Sequence, residues 1–177
     1  MTGQLENRVA VITGAGEGIG RGIANAFVKE GAKVVIAEIK PELGKQASDE
    51  LGDNAVFIQT DVSVKEDNER MIEAAIEKWG TVDILVNNAW GGGVISRVES
   101  KSPELMEKGL NVGFLGPLWA MIAAHSVMKE KSYGRIVNLC SLNGVNAHMG
   151  TVEYNSAKEA LRSATRTAAR EWAPLGI

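Results

Sequence analysis

The stretch Arg8–Glu38, RVAVITGAGEGIGRGIANAFVKEGAKVVIAE, decides the fold. Arg8–Thr13 is apolar nearly throughout, as a strand covered on both faces has to be. Gly18–Glu30 carries Ile19, Ile23, Ala26 and Phe27 on one helical face, and Gly31 follows as a stop. Lys33–Glu38 is a second β-branched run. A strand, a helix and another strand in this order imply a parallel pair joined by a right-handed crossover.

The alternation continues outward. Pro41–Leu51 reads as a helix opened by proline and stopped by Gly52, and Ala55–Thr60 as a third strand. Ser63 with Glu66 three residues later has the spacing of a capping box, predicting a helix from there to Trp79, ended by Gly80. Val82–Asn87 is a fourth strand, Ser102-Pro103 opens a helical region running through Asn111 to about Lys131, Arg135–Leu139 is a fifth strand, and Tyr154–Trp172 is a last helix before Pro174. Five strands alternating with helices make a single α/β domain over residues 1–177, doubly wound around a parallel sheet.

Composition removes several function classes. Nineteen Lys+Arg against 22 Asp+Glu leave a net charge of −3, and the basic pair Lys129 and Lys131 is interrupted by Glu130, so no nucleic-acid surface is expected. Cys140 is the only cysteine, which rules out an intrachain disulfide. The start, Met1 to Asn7, is short and polar, and no run approaches the roughly 18 apolar residues of a membrane span, so the expected location is cytoplasmic with no membrane partner. No metal-ligand spacing is read.

Glycine is in surplus: 20 of 177 residues, about 11% against a usual 7% or so. Gly14, Gly16, Gly18, Gly20 and Gly22 fall together between the first strand and its helix. The spacing is T-G-x-x-x-G-x-G (Thr13, Gly14, Gly18, Gly20) and not G-x-G-x-x-G. Glycine allows a tight turn and close approach of phosphate, and a helix N-terminus offers free N–H groups to negative charge; a tight strand–helix turn without ligand is the competing reading. Glu38 closes the second strand, where a carboxylate can accept hydrogen bonds from an adenosine ribose diol. It would repel a 2′-phosphate, and Glu17 in the turn adds negative charge and no basic partner, so NAD is expected over NADP.

Tyr154 and Lys158 are one helical turn apart on one face, and Ser141 lies just past the fifth strand, where parallel sheets present ligand groups. A tyrosine of ordinary pKa near 10 becomes a usable base beside a lysine ammonium, and a serine hydroxyl can hold a carbonyl or alcohol oxygen.

With TGAGEGIG at Thr13–Gly20, Asp61-Val62, Asn87-Asn88-Ala89, Asn111, Ser141 and YNSAK at Tyr154–Lys158, the sequence resembles the classical, NAD(P)-dependent short-chain dehydrogenase/reductase family. The resemblance implies a Rossmann-like sheet of order 3-2-1-4-5 and hydride transfer between NAD(H) and a secondary alcohol or ketone. It implies Tyr154 as general base or acid, Lys158 lowering its pKa and holding the nicotinamide ribose, Ser141 orienting the substrate oxygen, and Asn111 anchoring a water. Gly14, Glu17, Gly18, Ile19 and Gly20 would line the pyrophosphate turn, Glu38 the ribose, Asp61 and Val62 the adenine, and Asn88 with Ala89 the second ribose. It further implies a homo-oligomer, a dimer or tetramer, built on the two long helices.

Two departures from the family pattern stand out. Asn-Asn-Ala-Gly is replaced by Asn-Asn-Ala-Trp, with Trp90 followed by Gly91–Gly93. Either the ring narrows the pocket or the glycines shift the loop. The chain also ends at Ile177, where family members run on into further strands, so a C-terminally incomplete chain is expected. Two other functions compete: a catalytically silent NAD-binding module, and an S-adenosylmethionine-dependent methyltransferase, which leaves Ser141, Tyr154 and Lys158 without a role. Cys140 is expected as a small buried residue at a strand end, and His125 as a packed helix residue; His148 lies near the substrate side.

Overall fold

The computed structural model describes residues 3–177; Met1 and Thr2, the start of the polar N-terminal stretch, lie outside them. Five parallel strands, β1 (Val9–Thr13), β2 (Lys33–Glu38), β3 (Ala55–Gln59), β4 (Ile84–Asn87) and β5 (Arg135–Asn138), form one sheet in the order β3-β2-β1-β4-β5. The registers set Val11 between Val35 and Leu85. All five residues of β1 are buried, which explains its unbroken apolar run.

Because successive strand side chains point to opposite faces, the core divides in two. Ala10, Ile12, Ile36 and Val86 pack with Ala24 of helix α1 (Gly18–Lys29) and Ala47 of α2 (Pro41–Leu51). Val9, Val11, Val35 and Leu85 pack on the other face with Met71 and Ala75 of α3 (Lys65–Trp79) and with Ala120, Ala124 and Met128 of α5 (Gly116–Glu130). Ala168 and Trp172 of α7 (Val152–Trp172) join this second cluster, where Trp172 stacks on His125 with ring centroids 4.6 Å apart.

Several local expectations are corrected. The long helical region is broken into α4 (Pro103–Leu110), a wide π-turn Asn111–Leu115, and α5. Pro117 supplies no N–H to the preceding turn, and Gly116 packs closely against the Val62 carbonyl, so the backbone widens there. By length and composition Pro103–Glu130 is apolar enough to cross a membrane, contrary to the expectation that no stretch approaches a span. Ala120, Met121, Ala124 and Met128 from this region pack into the core with α3 and the sheet, while Ile122 is exposed. Ser63 does not cap α3: its hydroxyl donates to Oδ1 of Asp61 at 2.7 Å, and the helix begins at Lys65. Residues 142–146 are not loop but a short helix, α6 (Leu142–Asn146), whose N-cap is Ser141. The last helix starts two residues earlier than expected, at Val152, and Cys140 is exposed. Other ends differ by one or two residues.

Candidate functional site

Parallel strands put Gly14, Glu38, Asn88 and Ser141 at one end of the sheet, because each follows or closes a strand running the same way. There a cleft of about 690 Å³ is lined by Gly14, Glu17, Ile19, Glu38, Asp61, Val62, Asn88 and Ala89, among others. Of the residues expected at the nucleotide, Gly18, Gly20, Tyr154 and Lys158 are not in its wall. Gly18, at φ +58°, opens α1. Gly20 is buried beneath the turn, where a Cβ would collide with the Gly14 carbonyl and lie 2.6 Å from Nδ2 of Asn88. Glycine at position 20 therefore lets α1 pack close under the turn, whose backbone at the helix N-terminus fits a pyrophosphate laid on N–H groups.

Asn88 does more than line the cleft. Its Nδ2 donates to the carbonyls of Thr13 (2.9 Å) and Gly14 (3.2 Å), and the Thr13 hydroxyl accepts from the N–H groups of Asn88 (3.0 Å) and Ala89 (3.1 Å). The β1 turn and the β4 turn are locked together. Glu38 is 5% exposed, and its two oxygens accept from the N–H of Gly16 (3.1 Å) and of Lys40 (3.1 Å). Each oxygen keeps a free lone pair for a ribose hydroxyl.

Two contributors had no assigned role in the sequence reading. A Cβ on Gly16 would lie 2.8 Å from Cγ of Glu38, so Gly16 is what lets the carboxylate sit beneath the turn. The surplus glycine in TGAGEGIG was the available signal. Lys40 lines the cleft beside Glu38 and pairs with Glu17 (Nζ–Oε1 2.6 Å), so a basic side chain does stand near the ribose position, with its charge engaged by Glu17. The hydrogen bond to Glu17, then its charge, hold the Lys40 ammonium above its ordinary pKa.

The second group lies beyond Trp90. Tyr154 and Lys158 occupy the first two turns of α7, with Nζ of Lys158 5.7 Å from the Tyr154 ring centroid. Lys158 is 4% exposed and its Nζ donates to the Leu139 carbonyl at 2.6 Å; burial pushes its pKa down. The Ser141 hydroxyl accepts from the Asn143 N–H at 3.1 Å, which fixes it at the head of α6. Asn111 is half-buried at the start of the π-turn packed beside α7. His148 is exposed and offers its backbone carbonyl to Thr151 and Asn155.

The two alternatives for Trp90 resolve into one arrangement. The indole lines the cleft and meets Tyr154 edge-on, with centroids 4.7 Å apart and planes at 73°. Nζ of Lys158 is 5.9 Å from the Trp90 ring. Gly113 makes room: a Cβ there would lie 2.7 Å from the indole and 2.8 Å from Cβ of Ala157. Behind this group, Asn87 donates to Oδ1 of Asn138 (2.8 Å) and Asn138 donates to the Thr165 hydroxyl (2.8 Å), joining β4, β5 and α7.

Comparison with known proteins places this geometry. The family described as short chain dehydrogenase matches residues 8–177. Zerumbone synthase of Zingiber zerumbet is 37% identical over 98% of this chain and 66% of its own length. A diacetyl reductase [(S)-acetoin forming] of Staphylococcus epidermidis is 34% identical over 97% of this chain and 68% of its own. The crystal structure of a 3-ketoacyl-(acyl-carrier-protein) reductase from Brucella melitensis complexed with NADH superposes with a TM-score of 0.94 at 35% identity, over 97% of this chain and 73% of that one. The chain thus spans about two thirds of the length of its curated relatives.

Proposed function

Since this chain belongs to the short chain dehydrogenase family, we propose that it is a nicotinamide-dependent oxidoreductase that interconverts a secondary alcohol and a ketone at Tyr154. One observation carries the reading: a cleft walled by the glycine turn after β1 and by Glu38 reaches the Trp90 indole, which meets Tyr154 edge-on, one helical turn from the buried Lys158. The cofactor supplies the acceptor or donor of hydride at the carbinol carbon.

The chain's own residues handle the proton and the positioning. In alcohol oxidation Tyr154 takes the hydroxyl proton as the carbonyl forms; in reduction it returns that proton to the oxygen. Lys158, held by the Leu139 carbonyl, brings a positive charge beside Tyr154 and has donors left for a ribose hydroxyl. Ser141 holds the substrate oxygen, and Asn111 anchors a water. Gly14, Gly18, Ile19 and Gly20 receive the pyrophosphate, and Asp61 and Val62 bound the adenine. Glu38, with both oxygens oriented, takes the ribose diol and disfavours a 2′-phosphate, so NAD is preferred over NADP.

The apolar groove between α5 and α7, lined by Leu118, Ile122 and Ala164, supports assembly as a homo-oligomer, checked by sedimentation. An S-adenosylmethionine reading shares the glycine turn and Glu38 but gives Ser141, Tyr154 and Lys158 no role, and the family match favours the dehydrogenase.

Tyr154→Phe is the deciding experiment, with diacetyl and a ketone panel as probes and NADH oxidation followed by absorbance. Turnover should fall by about 10²–10⁴-fold while NADH affinity is retained, because only the proton-transfer group is lost. Parent protein that binds NADH yet reduces no ketone would leave the silent-module reading in place, and tighter binding of NADPH than NADH would overturn the cofactor preference.

A further inference from the structure

Outside the residues already assigned, the most heavily buried charges near the site are Lys101 and Glu153. Their side chains are 2% and 0% exposed, and Nζ lies 2.6 Å from Oε2. Burying two opposite charges is expensive, and well-packed apolar residues of similar volume often serve stability as well. Bulk alone does not account for the pair; its connections do.

Lys101 donates to the carbonyls of Val94 and of Gly150, the latter at 3.0 Å, and Oε1 of Glu153 accepts the Val94 N–H at 3.2 Å. The Gly150 carbonyl also accepts from Ser96 at 3.0 Å. One ion pair thus ties three segments: the loop after β4, the turn before α7, and the first turn of α7. Room is made by glycine, since a Cβ on Gly93 would lie 2.7 Å from Oε1 of Glu153 and one on Gly109 would lie 2.9 Å from Cβ of Glu153. Burial alone would push the Glu153 carboxyl upward, but the bonds from Lys101 and the nearby N–H groups outweigh it, so it stays ionised and paired.

What the pair ties down is the Trp90–Tyr154 contact. Glu153 precedes Tyr154 directly, and Val94, gripped through both its N–H and its carbonyl, is four residues after Trp90. We propose that Lys101 and Glu153 are positioning residues for Tyr154, an internal brace that holds the tyrosine and the indole of Trp90 against each other at the mouth of the cleft. The inference rests on the reading of Tyr154 as the proton-transfer residue. It assigns the brace to the reaction even though neither charge reaches the reacting atoms.

The chain has two tyrosines, which permits a direct test. With 3-fluorotyrosine incorporated, the ¹⁹F spectrum has two resonances, assigned by Tyr133→Phe, and the ring current of Trp90 displaces that of Tyr154. In the Lys101→Met/Glu153→Met double variant, which keeps apolar bulk, thermal stability and NADH affinity should stay at parent values. The Tyr154 resonance should lose its displacement, as it does in Trp90→Ala, and kcat should fall by about 10²-fold, the scale of a small misplacement of a reacting group. A Tyr154 resonance and kcat unchanged from the parent would show that the pair only fills space. If the double variant does not fold, Glu153→Gln decides on the same resonance, since its amide has a single acceptor oxygen and must set its NH2 against either the Lys101 ammonium or the Val94 N–H, breaking the brace at constant size. A Tyr154→Phe variant that keeps turnover would remove the functional reading, but the fluorine result would still report whether the brace positions the ring.

Discussion

The two ends of the cleft are built differently. At the nucleotide end, β1 is buried along its whole length and the shape is set by backbone: a glycine turn, a helix N-terminus, and the N–H groups that orient Glu38. At the Tyr154 end, β5 alternates exposed and half-buried residues. Order there comes from side chains reaching between distant segments: Asn87 to Asn138, Asn138 to Thr165, Lys158 to Leu139, Lys101 to Glu153. A backbone-built site tolerates no added atom. A side-chain-built site fails when one polar partner is removed.

The sharpest way to break this contrast is Gly20→Val. The added carbons meet the Gly14 carbonyl and Asn88, backbone and a doubly bonded side chain that cannot swing away. Destabilisation at or above the usual overpacking range of about 1–3 kcal/mol is expected in urea unfolding, with NADH binding lost. Retained NADH binding would mean the turn is more pliable than the contrast requires.

Next come two amide deletions of similar size. Asn88→Ala and Asn138→Ala each leave partners unbonded and should each cost about 1–3 kcal/mol. Their functional signatures should separate: Asn88→Ala weakens NADH binding in a fluorescence titration, whereas Asn138→Ala leaves NADH affinity intact and lowers kcat. Equal loss of NADH affinity in both would merge the two ends into one unit.

A smaller effect depends on pH. Burial lowers the folded-state pKa of Lys158 below its ordinary 10.5, so between those values the unfolded chain holds more protons and stability rises with pH. The penalty of the buried cation is complete below the lowered pKa and fades as pH climbs toward 10.5. Lys158→Met removes it. The stability difference, variant minus parent, should be most favourable to the variant at neutral pH and shift toward the parent as pH rises; urea midpoints across that window measure it, and a difference that does not move with pH refutes the assignment. The smallest effect is expected from Lys40→Ala. Its pair with Glu17 is exposed on both sides, so a thermal melt should not move.

Much of the fold was legible in the sequence because its signals are local. An unbroken apolar run such as Val9–Thr13 states burial on both faces, and Gly80 or Pro41 marks an element's end without reference to the rest of the chain. Local signals failed where a competing partner was nearby. The Ser63–Glu66 spacing suits a cap, but Asp61 takes the Ser63 hydroxyl. A continuous helical pattern through Asn111 hid the widening that Gly116-Pro117 imposes.

By itself, then, the sequence determined a doubly wound α/β domain, a glycine turn after β1, an acid at the end of β2, and a tyrosine and lysine one helical turn apart. Each follows from residue type and spacing within a few residues. Tertiary structure alone decided that Trp90 turns its edge to Tyr154, that Gly16 makes room for Glu38, that Lys40 reaches Glu17, and that Lys101 and Glu153 meet in the interior. Those contacts join residues from 22 to 64 positions apart. Which distant segments meet depends on the packing of the whole sheet and its helices, and no local pattern encodes that.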